Sequence, residues 1–180
     1  MKQELKNAYE KISTGTELRA GLIEIKNLLK EEKNRRELAY QLGGDFKVLT
    51  RCLSDEDPKV RKNAALVLGA MESDDLVRVL LNAYKKEDTL FVKSAYLKAL
   101  LDLDYEEELP YLKERLQELD QEPVTEANQK HIREEAGMLQ QLISQKEKRK
   151  KHTFDGFDRQ VEVILLTNRE QREATRNQLK

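Results

Sequence analysis

The residues best suited to chemistry form a short run in which His131 is followed by Glu134 and Glu135. On a helix, residues three or four positions apart share one face and could ligate a metal ion. A zinc-protease helix needs a second histidine four residues from the first, and the only other histidine is His152. The spacing favours a solvated helix face, and we expect no metal ligand.

Adjacent carboxylates are the second candidate, because paired acids can act as general acid and base. Asp74-Asp75 and Glu106-Glu107-Glu108 open predicted helices, where the helix dipole alone favours negative charge. The chain has no glycine-rich phosphate loop, and no nucleophile lies beside a plausible base. We therefore expect no catalytic residue and no cofactor, and we predict that this chain is not an enzyme.

Two basic segments could contact the phosphates of a nucleic acid. The first ends the last long predicted helix, where the helix dipole alone also favours cations. The second has a basic residue every three or four positions, which places these residues on one helical stripe. The candidate contact residues are Lys148, Arg149, Lys150, Lys151, Arg169, Arg172 and Arg176. Both interpretations stay open, and RNA is a candidate partner through this basic C-terminal part.

The high content of charged residues favours helices with charged outer faces. The uneven distribution of charge along the chain indicates two parts of different composition. Charged residues make up 37% of the 180 residues, and 33 Lys and Arg nearly balance 34 Asp and Glu. Residues 146–180 nevertheless have a net charge of +4, which leaves −5 for residues 1–145. An acidic body with a basic tail is the first sign that the two parts differ.

Cysteine use and hydropathy indicate the compartment. The single cysteine, Cys52, excludes an intrachain disulfide and is expected to be a buried small apolar residue. The N-terminus lacks the apolar run of a signal peptide, and no stretch approaches the roughly 18 apolar residues that cross a bilayer. We expect a cytoplasmic protein without a membrane partner.

An internal repeat determines the predicted fold class. Four segments share a basic residue that is followed by small or apolar residues at helical spacing, and they begin at Arg35, Arg61, Lys93 and Arg133. Their separations are 26, 32 and 40 residues. Unequal separations of this size are expected when repeats of paired helices have loops of different length.

The segment around Arg61 shows the physical logic of the repeat. Asp57 can cap a helix, and Pro58 suits the first helical position. Ala64 and Ala65 are small enough to let the next repeat approach, and Gly69 stands where the helix ends or packs closely. The preceding helices should supply a second wall through Phe46, Val48, Leu49, Cys52 and Leu53, and through Leu76, Val79, Leu80 and Ala83.

The stretch from Asp55 to Gly69 reads Asp-x-Asp-Pro-x-Val-Arg followed by Ala-Ala-x-x-Leu-Gly, and it resembles the second helix of a HEAT repeat. The resemblance implies an all-α fold of the armadillo type, a HEAT-like α-solenoid of antiparallel helix pairs over about 1–148. It also implies that Asp57 and Arg61 bond across neighbouring turns. A solenoid of this kind implies a protein partner that is recognised through surface shape.

Periodicity predicts helices at about 2–12, 34–42, 46–53, 58–70, 74–86, 89–103, 107–119 and 126–148. Thr14 and Glu17 have the spacing of a capping box for one more helix, ending near Leu29. Residues 120–125 are the expected break. We predict a helical repeat domain over 1–150, and a basic linker with a strand–helix element over 151–180.

Residues 161–166 carry the one clear β-strand signal, and a helix is predicted after Thr167, which gives a short C-terminal βα appendage. Residues 161–179 resemble the opening strand and helix of THUMP-type RNA methyltransferases, a family that uses S-adenosylmethionine. The catalytic motif and cofactor loop of that family are absent, so no site residue is carried over. The strand could pair with a second copy, lie disordered or pack irregularly. We predict self-association through 161–180 and monomeric residues 1–150.

Two functional hypotheses follow. The first is a non-catalytic recognition module at the head of an RNA methyltransferase-like protein whose modifying parts lie beyond Lys180. The alternative is a free-standing protein–protein adaptor that docks through its tail. A third, a HEAT-like lyase subunit, lacks any site residue.

Overall fold

Helices dominate the part of the chain that the structure describes. The computed structural model describes residues 2–103 and 109–145, and no strand occurs among them. Met1–Leu142 form one compact unit, and only residues 143–145 of the second unit, Ile143–Lys180, are described. The predicted strand, the helix after it and the boundary near residue 150 lie outside the described residues and stay predictions.

The helices follow one another with short connections. They are α1 (Gln3–Thr14), α2 (Leu18–Leu28), α3 (Glu32–Leu42), α4 (Lys47–Arg51), α5 (Pro58–Gly69), α6 (Asp75–Lys86), α7 (Leu90–Asp102) and α8 (Leu109–Gln121). A 3-10 turn, Cys52–Ser54, extends α4, and α9 is described over 129–145. Most predicted helices are confirmed to within a few residues. The break predicted at 120–125 is confirmed with shifted bounds, because α8 continues to Gln121 and residues 122–128 are not helical.

Stacked helix pairs form the core. Helix α1 packs on α2, α4 packs on α5 and α6 packs on α7, while α5 lies between α2 and α7. The second members of the pairs therefore form one layer in the order α2, α5, α7. The all-α repeat architecture predicted from the sequence is confirmed for the described residues.

The N-terminal pair differs from the prediction, which took the segment beginning at Arg35 as a copy of α5. That segment lies in α3, but α2 is the helix that packs on α5. The reason is the apolar stripe: α2 and its end bury Leu22, Ile25 and Leu29, whereas Leu38 is the only apolar side chain buried in α3. Burial of a continuous stripe outweighs the similarity of single positions.

The two predicted helix starts have opposite outcomes. The carboxylate of Asp57 accepts a hydrogen bond from the amide of Lys59 at 2.8 Å, which confirms the cap of α5. The capping box at Thr14 is wrong. Gly15 adopts a left-handed φ of 76° and ends α1, so the Thr14 hydroxyl donates backwards to the carbonyl of Glu10 at 2.8 Å.

Helices α5 and α7 pack closely against each other. Ala64 and Ala65 are fully buried, as predicted. A Cβ added to Gly69 would lie 2.6 Å from the Cα of Ala99, which leaves no room for a larger residue. Small residues thus bring the second helices of consecutive pairs into backbone contact. Cys52 is buried as predicted.

Helix α6 buries a different face from the one predicted. Leu76 and Leu80 are buried as expected, but Leu81 and Tyr84 complete the stripe. Val79 is 38% exposed. The outward turn of Val79 leaves an apolar residue on the open side of α6, where it contributes to the groove described next.

Candidate functional site

A groove opens between the end of α4 with its 3-10 turn and the outer face of α6. Its volume is about 570 Å³. The groove combines apolar, neutral polar and charged side chains. The lining residues are Thr50, Leu53, Ser54, Asp55, Arg61, Val79, Asn82, Ala83, Lys86, Glu87, Asp88 and Thr89.

An arginine–glutamate clasp forms one edge of this groove. The guanidinium of Arg61 donates from Nε to Glu87 Oε2 at 2.7 Å and from Nη2 to Glu87 Oε1 at 2.8 Å. It also donates to the carbonyl oxygen of Asp55 at 2.8 Å and to that of Glu56 at 3.1 Å. The clasp joins the first turn of α5 to the loop between α6 and α7, and therefore two consecutive helix pairs.

This geometry corrects the expected bond between Asp57 and Arg61. Asp57 is engaged in capping α5, and the Arg61 side chain turns to the next pair, where Glu87 accepts two parallel bonds. A bidentate arginine–carboxylate pair is stronger than a single bond between neighbouring turns. Sequence reasoning missed Glu87 as a functional candidate.

A signal for Glu87 was present in the repeat. The shift of 32 residues that aligns the two best copies places Glu87 on Asp55. Both carboxylates accept a bond from the amide two residues later: Asp55 from Asp57 and Glu87 from Thr89, each at 2.9 Å. The equivalent acids hold the same turn, and only Glu87 also receives an arginine.

Electrostatics hold the clasp in its charged form. Burial opposes ionisation of Glu87, but the bonds from Arg61 and from the amide and hydroxyl of Thr89 outweigh it and lower the pKa of that carboxyl. The bond to Glu87 raises the pKa of Arg61. The clasp is therefore a fixed, ionised edge of the groove at neutral pH.

A second charged network is buried further along the chain. Glu135 of α9 is fully buried, and its Oε1 accepts bonds from Arg115 Nε of α8 at 3.0 Å and from the hydroxyl of Tyr84 at 2.8 Å. Arg115 also pairs with Glu122 at 2.9 Å and Glu118 at 3.1 Å. With its polar groups satisfied internally, this network is suited to holding helices together.

The sequence-predicted site residues lie in different places. His131 and Glu134 approach to 3.4 Å on a partly exposed face of α9, whereas Glu135 points to Arg115. Within residues 2–103 and 109–145, no group of three or more His, Cys, Asp or Glu side chains could hold a metal ion. The basic residues Lys148, Arg149, Lys150, Lys151, Arg169, Arg172 and Arg176 lie outside the described residues, as does the tail that would self-associate.

Comparison with known proteins agrees with this architecture. A family model of HEAT repeats matches residues 46–130, a range that contains α4 to α8 and every residue of the groove. No curated protein and no solved structure matches the chain. Residues 46–130 are thus similar to HEAT repeats, helical repeats of the type associated with protein interaction. Searched over its described part, the chain has no helix long and apolar enough to cross a membrane.

Proposed function

We propose that this chain is a non-catalytic helical-repeat module that binds a segment of another protein in the groove between α4 and α6. The observation that carries the proposal is the groove itself, which lies within the part similar to HEAT repeats. Repeat proteins of stacked helices use extended surfaces of this kind to bind partners.

The lining of the groove fits a peptide segment. Leu53, Val79 and Ala83 supply apolar surface, and the 38% exposure of Val79 leaves a side chain whose burial on binding is favourable. Thr50 and Asn82 offer polar groups for the backbone of an extended peptide. The clasp between Arg61 and Glu87 fixes one edge before binding, which reduces the entropy lost on association.

The two more specific functional hypotheses, a methyltransferase-like protein and an adaptor, are proposals. The methyltransferase-like assignment depends on residues 161–179 alone, and no comparison supports it. The groove supports the protein-binding module that both hypotheses share, and the free-standing adaptor that docks through its tail depends on residues outside the described part. We also propose that the chain is not an enzyme and binds no cofactor; calorimetry with S-adenosylmethionine should show no binding by the chain.

The groove can be tested with a phage library of random peptides about 16 residues long, selected on the purified chain. We expect a shared motif among the enriched peptides, and the synthesised peptide should bind with a micromolar Kd. Val79→Arg should weaken binding at least about tenfold, since it puts a long cation into the apolar part of the groove.

The matched control is Val124→Arg, because Val124 is also exposed, at 60%, but lies in the 122–128 connection. It should leave the Kd unchanged. A selected peptide that binds the Val79→Arg variant as tightly as the unmodified chain would show that the groove is not the binding surface.

A further inference from the structure

A cluster of lysines crosses the layer formed by the second helices. Lys26 belongs to α2, Lys30 lies in the turn after α2, Lys62 belongs to α5 and Lys98 to α7. These three helices stack side by side in that order. The lysine cluster therefore spans three consecutive helix pairs, in a layer different from that of the groove between α4 and α6.

Specific contacts hold the lysine cluster in place. The ammonium of Lys26 donates to Asn63 Oδ1 at 2.8 Å, which binds the side chain across the contact between α2 and α5. The ammonium of Lys62 lies 5.7 Å from the ring centre of Phe91 on α7. Two of the cations are thus tied to the neighbouring helix rather than free in solvent.

Carboxylates do not neutralise this cluster. Within the described residues, no Asp or Glu oxygen lies within 4.0 Å of the ammonium of Lys26, Lys30, Lys62 or Lys98. The acid nearest in sequence on α2, Glu24, is bonded to Lys11 at 2.6 Å, and Asp102 on α7 interacts electrostatically with Lys98. The cluster is therefore compensated only in part, by Asp102 at Lys98, and keeps positive charge that is available to a ligand.

Mutual repulsion within the cluster has an electrostatic signature. Burial lowers the pKa of the Lys26 ammonium, and the three neighbouring ammonium groups lower it further. A bound anion would relieve both effects, because it supplies the opposite charge that the fold does not. The cluster is therefore suited to bind an anionic group of a partner.

We infer that the lysine cluster binds an acidic, extended segment of a protein partner. This inference rests on the proposed function, because it adds a chemistry for the partner of the same module. Stacked helices lie about 8–10 Å apart, and an extended chain of the polyproline II type rises about 3.1 Å per residue and returns every third side chain to the same face. An acidic residue at every third position would therefore meet one lysine-bearing helix after another.

The charge of the surrounding protein favours an acidic peptide over a nucleic acid. Residues 1–145 have a net charge of −5, and the sequence pI is about 6.2. A long polyanion would extend from the cluster over this acidic body, whereas nucleic-acid-binding domains usually have a strongly basic pI. A short acidic segment can occupy the cluster without meeting that repulsion.

The test uses the full chain and a fluorescent peptide of about twelve residues with Glu at every third position and Ser or Gly between. Fluorescence anisotropy should show binding that weakens with added salt, as expected for exposed charges. The same peptide with Gln in place of Glu should not bind. Lys62→Glu with Lys98→Glu should weaken binding at least about tenfold.

Lys6→Glu with Lys33→Glu is the matched control, because it makes the same change in net charge on exposed positions of α1 and α3. It should change the Kd less than about twofold. Lys62→Gln with Lys98→Gln should fall between the two, and circular dichroism should show that all variants keep their helix content.

Three results would overturn the inference. They are no binding of the Glu peptide by the unmodified chain, equal loss in the control pair, and tighter binding of a single-stranded RNA that is lost in the Lys62→Glu, Lys98→Glu variant. The Val79→Arg variant separates this test from that of the proposed function. It should retain the acidic peptide, so failure at the groove and failure at the lysine cluster are distinguishable.

Discussion

Two arginine–glutamate pairs among the described residues are largely buried, and they connect different helices. Arg61 reaches from α5 to Glu87 in the next helix pair, and the bond lies at the edge of an open groove. Arg115 reaches from α8 to Glu135 of α9, and the hydroxyl of Tyr84 on α6 closes the network. The same chemistry thus joins two consecutive helix pairs in one region and ties α8 and α9 to α6 in the other.

Burial determines what each network can contribute. The Glu87 and Arg61 side chains are 4% and 18% exposed, whereas those of Glu135 and Arg115 are 0% and 10% exposed. Removing one partner from a buried pair leaves an uncompensated charge, which costs more the less water can reach it. We therefore expect the network around Glu135 to dominate stability, and the clasp at Glu87 to act mainly on the groove.

The largest effect is expected from Arg115→Met. Among the residues that the structure describes, the substitution leaves the Tyr84 hydroxyl as the one hydrogen-bond partner of the fully buried Glu135 carboxylate. The free energy of unfolding should fall by about 3–5 kcal/mol, as is typical when a buried pair is broken. Urea denaturation followed by circular dichroism measures it.

The double variant Arg115→Met, Glu135→Leu is the control, because it removes both charges and fills the space with apolar groups. It should recover at least about half of the lost stability. If Arg115→Met unfolds at the same urea concentration as the unmodified chain, then the network around Glu135 does not stabilise the fold. The expectation that it contributes more stability than the clasp at Glu87 would then be wrong.

Glu87→Gln should have a smaller effect. Glutamine keeps the shape but offers Arg61 one neutral oxygen and an amide group that repels its N–H donors, while the bonds from Arg61 to the carbonyls of Asp55 and Glu56 remain. The free energy of unfolding should fall by about 1–3 kcal/mol in urea denaturation. The peptide selected on the groove should also bind more weakly, because one edge is loosened.

The control for this variant is Glu32→Gln, since Glu32 forms an exposed pair with Arg36 on α3. Exposed helix pairs contribute little, so the loss should be below about 0.5 kcal/mol. Equal losses in the two variants would mean that the clasp between the helix pairs is no stronger than a surface ion pair.

Sequence patterns could predict the fold because they record local chemistry. Asp57 and Pro58 start α5 through bonds within one turn, and Ala64, Ala65 and Gly69 show by their size that a neighbour must come close. The N-terminal pair was misassigned because a basic residue at the right offset, Arg35, carries less information than a continuous apolar stripe.

The candidate site was harder to predict, since its parts are brought together only by tertiary contacts. Arg61 and Glu87 are 26 residues apart, and Lys26 and Asn63 are 37 apart. Neither pair forms a motif. Val79 was expected in the core, because α6 offers more apolar residues than its buried face can hold and only packing decides which one is left out.

The smallest expected effect is the pH dependence of the stability that the Glu87 carboxylate contributes to the clasp. The folded-state pKa of this carboxyl is lowered below its unfolded value. A lowered pKa means that the charged form contributes stability above the unfolded pKa of about 4.3. That contribution is lost as the pH falls below this value and through the folded pKa.

The stability difference between the unmodified chain and Glu87→Gln should therefore be constant from neutral pH down to about pH 5 and shrink below it. Glutamine cannot titrate, so the variant removes this one group from the pH profile while other carboxyls still contribute to both curves. Thermal unfolding of the two proteins between about pH 3 and pH 7 measures the difference directly. A difference that stays constant to pH 3 would show that Glu87 acts through its shape rather than its charge. The clasp would then be a polar spacer between helix pairs. It would differ from the network around Glu135 in the type of interaction, and not only in the amount of stability that it contributes.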